Sequence, residues 1–320
     1  MRTFLATCCL ALGLSTAWAA DPYPTKPITL IVPQAPGGAN DIVGRALAQR
    51  LAVALGQPVV VDNKPGAGGN VGTALVARAP KDGYTLMITA QSAQTINPSL
   101  YKKVPFDPIK DFEPIMVVAT APYLLAVSPN FPAKNIKELI ALAKADPGKL
   151  TYASAGNGAA NHLAGEMIKS MAGIRMTHVP YKGDAPGMPD VIAGTVSMMF
   201  PTIIAGMPNI KSGSMRPIAV TGTRRSASLP ELPTVSESGI PGFDAVSWGG
   251  VMGPGGLPSD IVQRLHTEIV RILKMPDVAE RLSSLGADIV GSTPEEFDKY
   301  LRAEIAKWGK VARDNNIRLD

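Results

Sequence analysis

Residues Ile28 to Leu51 read ITLIVPQAPGGANDIVGRALAQRL. An apolar, β-branched run leads into a proline- and glycine-rich loop, and the loop into a segment with helical apolar spacing. A strand, a tight turn and an amphipathic helix are expected, with the helix running from Asp41 to Leu55 and Gly56 after it. The loop delivers the chain to a helix N-terminus, where several backbone N–H groups lack an intrahelical partner. The helix dipole adds about half a positive charge at that end. Such a terminus binds anions without a basic side chain.

The same device recurs at Leu150 to Met171, LTYASAGNGAANHLAGEMIKSM. Ser154-Ala155-Gly156-Asn157-Gly158 form the second loop, and Asn161 and His162 fall in the first helical turn. Two such units in one chain suggest two lobes that grip an anion from both sides. In the first loop the candidate residues are Pro36 to Asp41, whose glycines allow close backbone approach. Asn40 or Asp41 can alternatively serve as a helix cap and nothing more. His162 either donates a hydrogen bond to a carboxylate or ties its own loop.

Alternating strand and helix patterns continue outward. Pro58 to Asp62 and Gly83 to Ala90 read as strands, with a helix at Asn70 to Ala79 between them, which implies βαβ units and a largely parallel sheet. Gln91 to Glu113 reads as irregular. Ile115 to Ser128 is almost wholly apolar and broken by Pro122, as for a strand crossing between lobes. Ile136 to Ala145 reads as a helix. Arg175 to Pro180, Val196 to Phe200 and Arg216 to Thr221 read as short strands, and Gly187 to Ala193 as a short helix. Phe243 to Met252 is the expected return crossing, where Trp248 either lines the cleft or packs the hinge. Pro258 to Lys274 reads as a helix. Thr293-Pro294-Glu295-Glu296 is a capping box opening a last helix to about Arg313. The lobes expected from this pass are 21–122 plus 246–320, and 123–245.

The chain of 320 residues is 46% hydrophobic and 18% charged, an ordinary globular balance. Arg2, the apolar run Phe4 to Leu14 and Ala17-Trp18-Ala19 form a secretory signal over residues 1–20, with cleavage near Ala19 and Ala20. Leu5-Ala6-Thr7-Cys8 offers a weaker alternative, a lipid-attachment box. Both cysteines, Cys8 and Cys9, lie in this leader, so the exported chain has no disulfide or thiolate metal site. A periplasmic location is expected. Without Arg2 the balance is 30 basic residues against 26 acidic, a net of +4 with scattered positions, and nucleic acid is excluded as a partner.

Catalytic chemistry has few candidates. The three histidines, His162, His178 and His266, show no metal-ligand spacing, and neither a G-x-S-x-G elbow nor a phosphate-binding P-loop occurs. His178 reads as a structural strand residue and His266 as a helix surface or packing residue. Gly66 to Gly72 has the wrong glycine spacing for a dinucleotide fingerprint, and Asn63-Lys64-Pro65 separates it from its strand. A tight turn with close backbone approach is expected there. No cofactor, no metal and no enzymatic activity are expected.

The segments YPTKPITLIVPQAPGGANDIVGR, VDNKPGAGGNVGT, APKDGYTLMI, FEPIMVVATAPYLLAVSP, LTYASAGNGAANHLAGE, HVPYKGDAP, SWGGVMGPGGLP and GSTPEEFDKYLRAEIAKWGKV occur in this order from Tyr23 onward. In this ordered set the chain resembles the Bug-type solute-binding receptors of tripartite tricarboxylate transporters. The resemblance implies an α/β, two-lobed periplasmic-binding-protein fold (Venus flytrap, type II-like) with hinge crossing strands. It implies a monomer that takes a small organic acid (dicarboxylate, tricarboxylate, amino acid or aromatic acid) and delivers it to cognate membrane permease subunits. A ligand-loaded sensor for a periplasmic signalling domain is the alternative, and an exported enzyme of carboxylate metabolism a more distant one. The contacting positions implied are Gln34, Gly37, Gly38, Ala39 and Asn40; Ala90, Gln91 and Ser92; Ser154 to Gly158 with His162; and Tyr181 and Lys182. The family's first loop often carries an aromatic residue before its prolines and Ser or Thr near its glycines. Gln34 and Ala39-Asn40 stand there in this chain.

Overall fold

The computed structural model describes residues 23–284 and 286–319; the leader sequence lies outside them. The opening unit is β1 (Ile28–Val32), α1 (Ala39–Leu55), β2 (Val59–Asn63), α2 (Asn70–Ala77) and β3 (Thr85–Ala90). β1 pairs in parallel with both β2 and β3. Its alternation divides it between two faces. Ile28, Leu30 and Val32 join Val43, Leu47 and Leu51 of α1 in one core, and Ile31 joins Ala74 and Met87 in another. Gly44 lets α1 settle onto the sheet, since a Cβ there would lie 3.1 Å from Ile88. Each fully buried aliphatic side chain contributes about 2 kcal/mol. Gly56 ends α1 at φ 68°, the left-handed value that glycine takes without strain.

A π-helical turn (Ser92–Ile96) and α3 (Asn97–Leu100) occupy part of the stretch that reads as irregular. β4 (Phe112–Pro122) then runs antiparallel to the later β10 (Val246–Pro254), and the chain continues past Tyr123 into β5 (Leu124–Val127) of a second sheet. The break falls at Pro122, as its sequence position predicts. α4 (Ile136–Ala145), β6 (Thr151–Ser154), α5 (Ala160–Ala172), β7 (Thr177–Pro180), α6 (Asp184–Ala193), β8 (Met198–Met199), α7 (Ile203–Lys211) and β9 (Arg216–Val220) build the second lobe. After β10 come α8 (Ser259–Leu273), α9 (Pro276–Ser284), β11 (Asp288–Ile289) and α10 (Pro294–Asp314). The two sheets have the orders β11-β4-β10-β3-β1-β2 and β7-β6-β8-β5-β9.

Besides the π-helical turn and α3, three further elements go beyond the sequence reading. α7 is opened by the Thr202 side chain and carries Pro208 within it; α9 and β11 are short. α6 also starts at Asp184 rather than Gly187.

The crossings are stitched together. Thr221 Oγ1 accepts from the Tyr123 amide at 2.8 Å and donates to the Ala245 carbonyl at 2.6 Å. The backbone repeats the tie, Thr221 to Tyr123 and Ala245 to Thr221. α10 spans both cores, with Phe297 and Leu301 packed in the first lobe and Trp308 and Ala312 packed with Leu100, Ala160 and Leu163. Among the described residues no helix is long and apolar enough to cross a membrane.

Candidate functional site

The first Gly-rich turn leaves the amino end of α1 open. Gly38 is the cap residue and has no side chain to offer, and neither Asn40 nor Asp41 caps the helix. The amides of Ala39, Asn40 and Asp41 carry no acceptor among the described residues. The first intrahelical bond is Ile42 to Gly38.

Asp41 bends back to hold the loop instead. Its carboxylate accepts from the Gly37 amide at 2.9 Å, Arg45 Nε at 3.1 Å and Asn63 Nδ2 at 3.0 Å. Burial opposes its charge, but the hydrogen bonds from Arg45, Gly37 and Asn63 together outweigh it and lower the carboxyl's pKa. Asn40 is buried and donates to Gln34 Oε1 and the Thr89 carbonyl, each at 3.2 Å. Both polar side chains thus shape the loop and leave the first helix amides without an acceptor among the described residues.

The second turn has a different bonding pattern. Its amides are largely satisfied within the protein: Ala155 donates to Asn161 Oδ1, Gly156 to Ser154 Oγ, and Gly158 to His162 Nδ1 at 3.1 Å. His162 Nδ1 thus ties its own loop. The Ala160 amide, first in α5, donates at 3.2 Å to Ser92 Oγ of the π-helical turn. Asn157 is the exposed residue of this turn.

His178 belongs to this loop as well, which its strand position did not reveal. Parallel pairing of β6 and β7 sets Tyr152 beside His178. His178 stacks on His162 with ring centroids 3.9 Å apart, and shares a 2.6 Å hydrogen bond with Ser154 Oγ through Nε2. Burial lowers both imidazole pKa values to about 4; for His178 the neighbouring His162 adds to the effect. Both rings are neutral at pH 7.

The remaining expected positions divide. Ala90 ends β3. Gln91 is buried and turned into the hinge, donating to Glu304 Oε2 at 2.8 Å and accepting from the Tyr123 hydroxyl at 3.2 Å. The Tyr181 hydroxyl is bound to Asp190 of α6, and Lys182 is exposed. Trp248 packs edge-on against Phe297 and Tyr300. Its neighbour Gly249 lies against Asn40. A small cavity at the end of α1 is walled by Ala39, Asn40, Thr120, Trp248 and Gly249, with Ile204 of the second lobe across from them. Asp184 was not singled out from the sequence. It opens α6, past the turn that follows β7, and Asn161 Nδ2 donates to it at 2.6 Å. No group of three or more potential metal ligands exists among the described residues.

Comparison with known proteins agrees with this arrangement. The profile of the tripartite tricarboxylate transporter family receptors matches residues 43–317. The R. palustris protein Rpa4515, solved with adipate, is 37% identical and superposes with a TM-score of 0.89, over 92% of this chain and 99% of that one. The periplasmic binding protein BugD is 37% identical, with a TM-score of 0.85 over 92% and 99%. MatC from Rhodopseudomonas palustris, solved with bound malate, is 30% identical, with a TM-score of 0.84 over 90% and 99%. With a two-lobed α/β fold and a family match over most of its length, the chain belongs to the tripartite tricarboxylate transporter receptor family of solute-binding proteins.

Proposed function

We propose that this protein is a periplasmic receptor that captures a small carboxylate between its lobes and delivers it to the membrane subunits of a tripartite transporter. The observation that carries this reading is the amino end of α1, where three helix amides lack acceptors beneath a wall contributed by the other lobe. A carboxylate docked there meets oriented N–H donors and the positive end of the helix dipole. Closure of the second lobe expels water and strengthens those charge-assisted bonds. The stitched crossing at Tyr123, Thr221 and Ala245 supplies the hinge, and the ligand biases closure by binding the closed form better. The adipate and malate complexes of the relatives support a carboxylate ligand.

A thermal-shift screen of residues 21–320 against mono-, di- and tricarboxylates, amino acids and neutral amides tests this reading. A true ligand at about a hundred times its dissociation constant stabilises the fold by about 2.7 kcal/mol. A response confined to neutral solutes would overturn the carboxylate reading.

A further inference from the structure

Asp184 stands in the first turn of α6, past the turn that follows β7, where the strand ends of an α/β sheet open on the ligand crevice. Its Oδ1 accepts from Asn161 Nδ2 at 2.6 Å, and the Thr202 backbone amide also donates to the carboxyl. Thr202 forms an antiparallel bridge with Tyr123 at the crossing. Ile204, two residues on, walls the cavity at the end of α1. These contacts tie the carboxyl to the second-lobe segment that reaches the crossing and the cavity wall. It is half-buried, and no cationic side chain pairs with it among the described residues.

A cleft that draws an anion with helix amides at one end thus keeps an unneutralised acid at the other. Burial raises the Asp184 pKa to about 6, so the group is still mostly ionised at pH 7. A second ligand carboxylate beside it would meet like charge, whereas a donor group would complete its hydrogen bonding. We infer, on the footing of the carboxylate reading above, that Asp184 is a specificity-determining residue that selects acids bearing a hydrogen-bond donor, ammonium or hydroxyl, over plain diacids.

Calorimetric titration at pH 7.5 tests this with ligands matched in length: succinate against malate and L-aspartate, and adipate against L-2-aminoadipate. The donor-bearing member of at least one set should bind about ten- to a hundredfold more tightly than its plain counterpart. Malate against aspartate separates hydroxyl from ammonium. Asp184→Asn keeps an acceptor for Asn161 but removes the charge, and should erase most of that preference while leaving the melting temperature near the parent's. Equal or tighter binding of the plain diacids by the parent protein would overturn the inference whatever the variant does. So would a variant that weakens every ligand by the same factor. Failure of all these acids and of the wider carboxylate panel to bind would overturn the carboxylate reading, and the role of Asp184 with it.

Discussion

Ser92 Oγ accepts the backbone amide of Ala160 at 3.2 Å, so the π-helical turn after β3 caps α5. Ala159, the local cap position of α5, offers no side-chain acceptor. Nearby, Gly158 packs against Leu100 and Leu319, so the capping bond sits beside the core that Leu100 shares with Ala160. On the proposed two-lobe mechanism, Ser92→Ala removes the acceptor and leaves a buried amide unpaired, a loss of about 1 kcal/mol that the proposal assigns to the closed form. Ligand affinity should then fall about fivefold, because apparent affinity scales with the fraction of competent molecules. Calorimetry on the variant checks this, and an unchanged affinity would show that the bond does not bias closure.

Asp41 makes a different prediction. It is the hub on which Gly37, Arg45 and Asn63 converge, and it holds the first turn in shape. Asp41→Asn weakens this hub by about 1–2 kcal/mol, and ligand binding should fall with stability because the amides of α1 are presented by that turn. Its folded pKa lies below the unfolded value of 3.8, so its stabilising contribution is complete above that value and lost as pH falls through the folded one. Urea titrations of the parent between pH 5 and pH 3 should show that loss, and the variant should show less of it. An identical acid limb in both would remove Asp41 from this role.

Much of the fold could be read locally. ITLIV, the Gly-rich turn and Gly56 declare β1 and α1 within one stretch of chain, and Pro122 marks the crossing because proline cannot donate to a sheet ladder. The π-helical turn and α3 were hidden because Ser92, Gln94, Thr95 and Asn97 are polar yet fully packed, and polarity there mimics a loop. α7 was hidden by Pro208, which proline rules place at a helix break. For the site, the two Gly-rich turns were legible, but the partners of their amides were not. Ser92 reaches Ala160 from 68 residues away, and His178 reaches Ser154 through strand pairing. The two turns look equivalent as sequence. Tertiary partners leave the helix amides of one without an acceptor and occupy most of those of the other.

The stacked histidines predict an acid-sensitive second lobe. With folded pKa values near 4 against 6.5 for the free side chain, each ring is protonated in the unfolded chain before the native one. Stability should therefore fall as pH drops from about 6.5 to 4. Asp184 works in the opposite sense, since its raised pKa makes the native state the better proton acceptor between about 4 and 6. Discounted for the partial exposure of His178 and offset by Asp184, the net loss from pH 7 to pH 5 is on the order of 2 kcal/mol. His162→Gln keeps an acceptor for the Gly158 amide while removing one titrating ring. It should flatten the pH dependence measured by urea unfolding, and an unaltered slope would assign the effect elsewhere.

Gly249 and Gly250 sit side by side on β10 and should respond differently to alanine. A Cβ at Gly250 would lie 2.4 Å from Phe297 Cζ and 3.1 Å from the Met116 carbonyl, so a core ring and a backbone would both have to move. A Cβ at Gly249 would lie 2.6 Å from Asn40 Oδ1, the end of one polar side chain. Displacing Asn40 breaks its bonds to Gln34 and to the Thr89 carbonyl, and these hold the turn before α1. Gly250→Ala should therefore cost about 1–3 kcal/mol of overall stability and leave the folded fraction able to bind. Gly249→Ala should cost about 1 kcal/mol of stability, yet lower ligand affinity about tenfold by misplacing the helix amides. Melting curves and calorimetry on the pair separate the two effects. Equal losses of affinity in both variants would mean that Asn40 does not govern the turn.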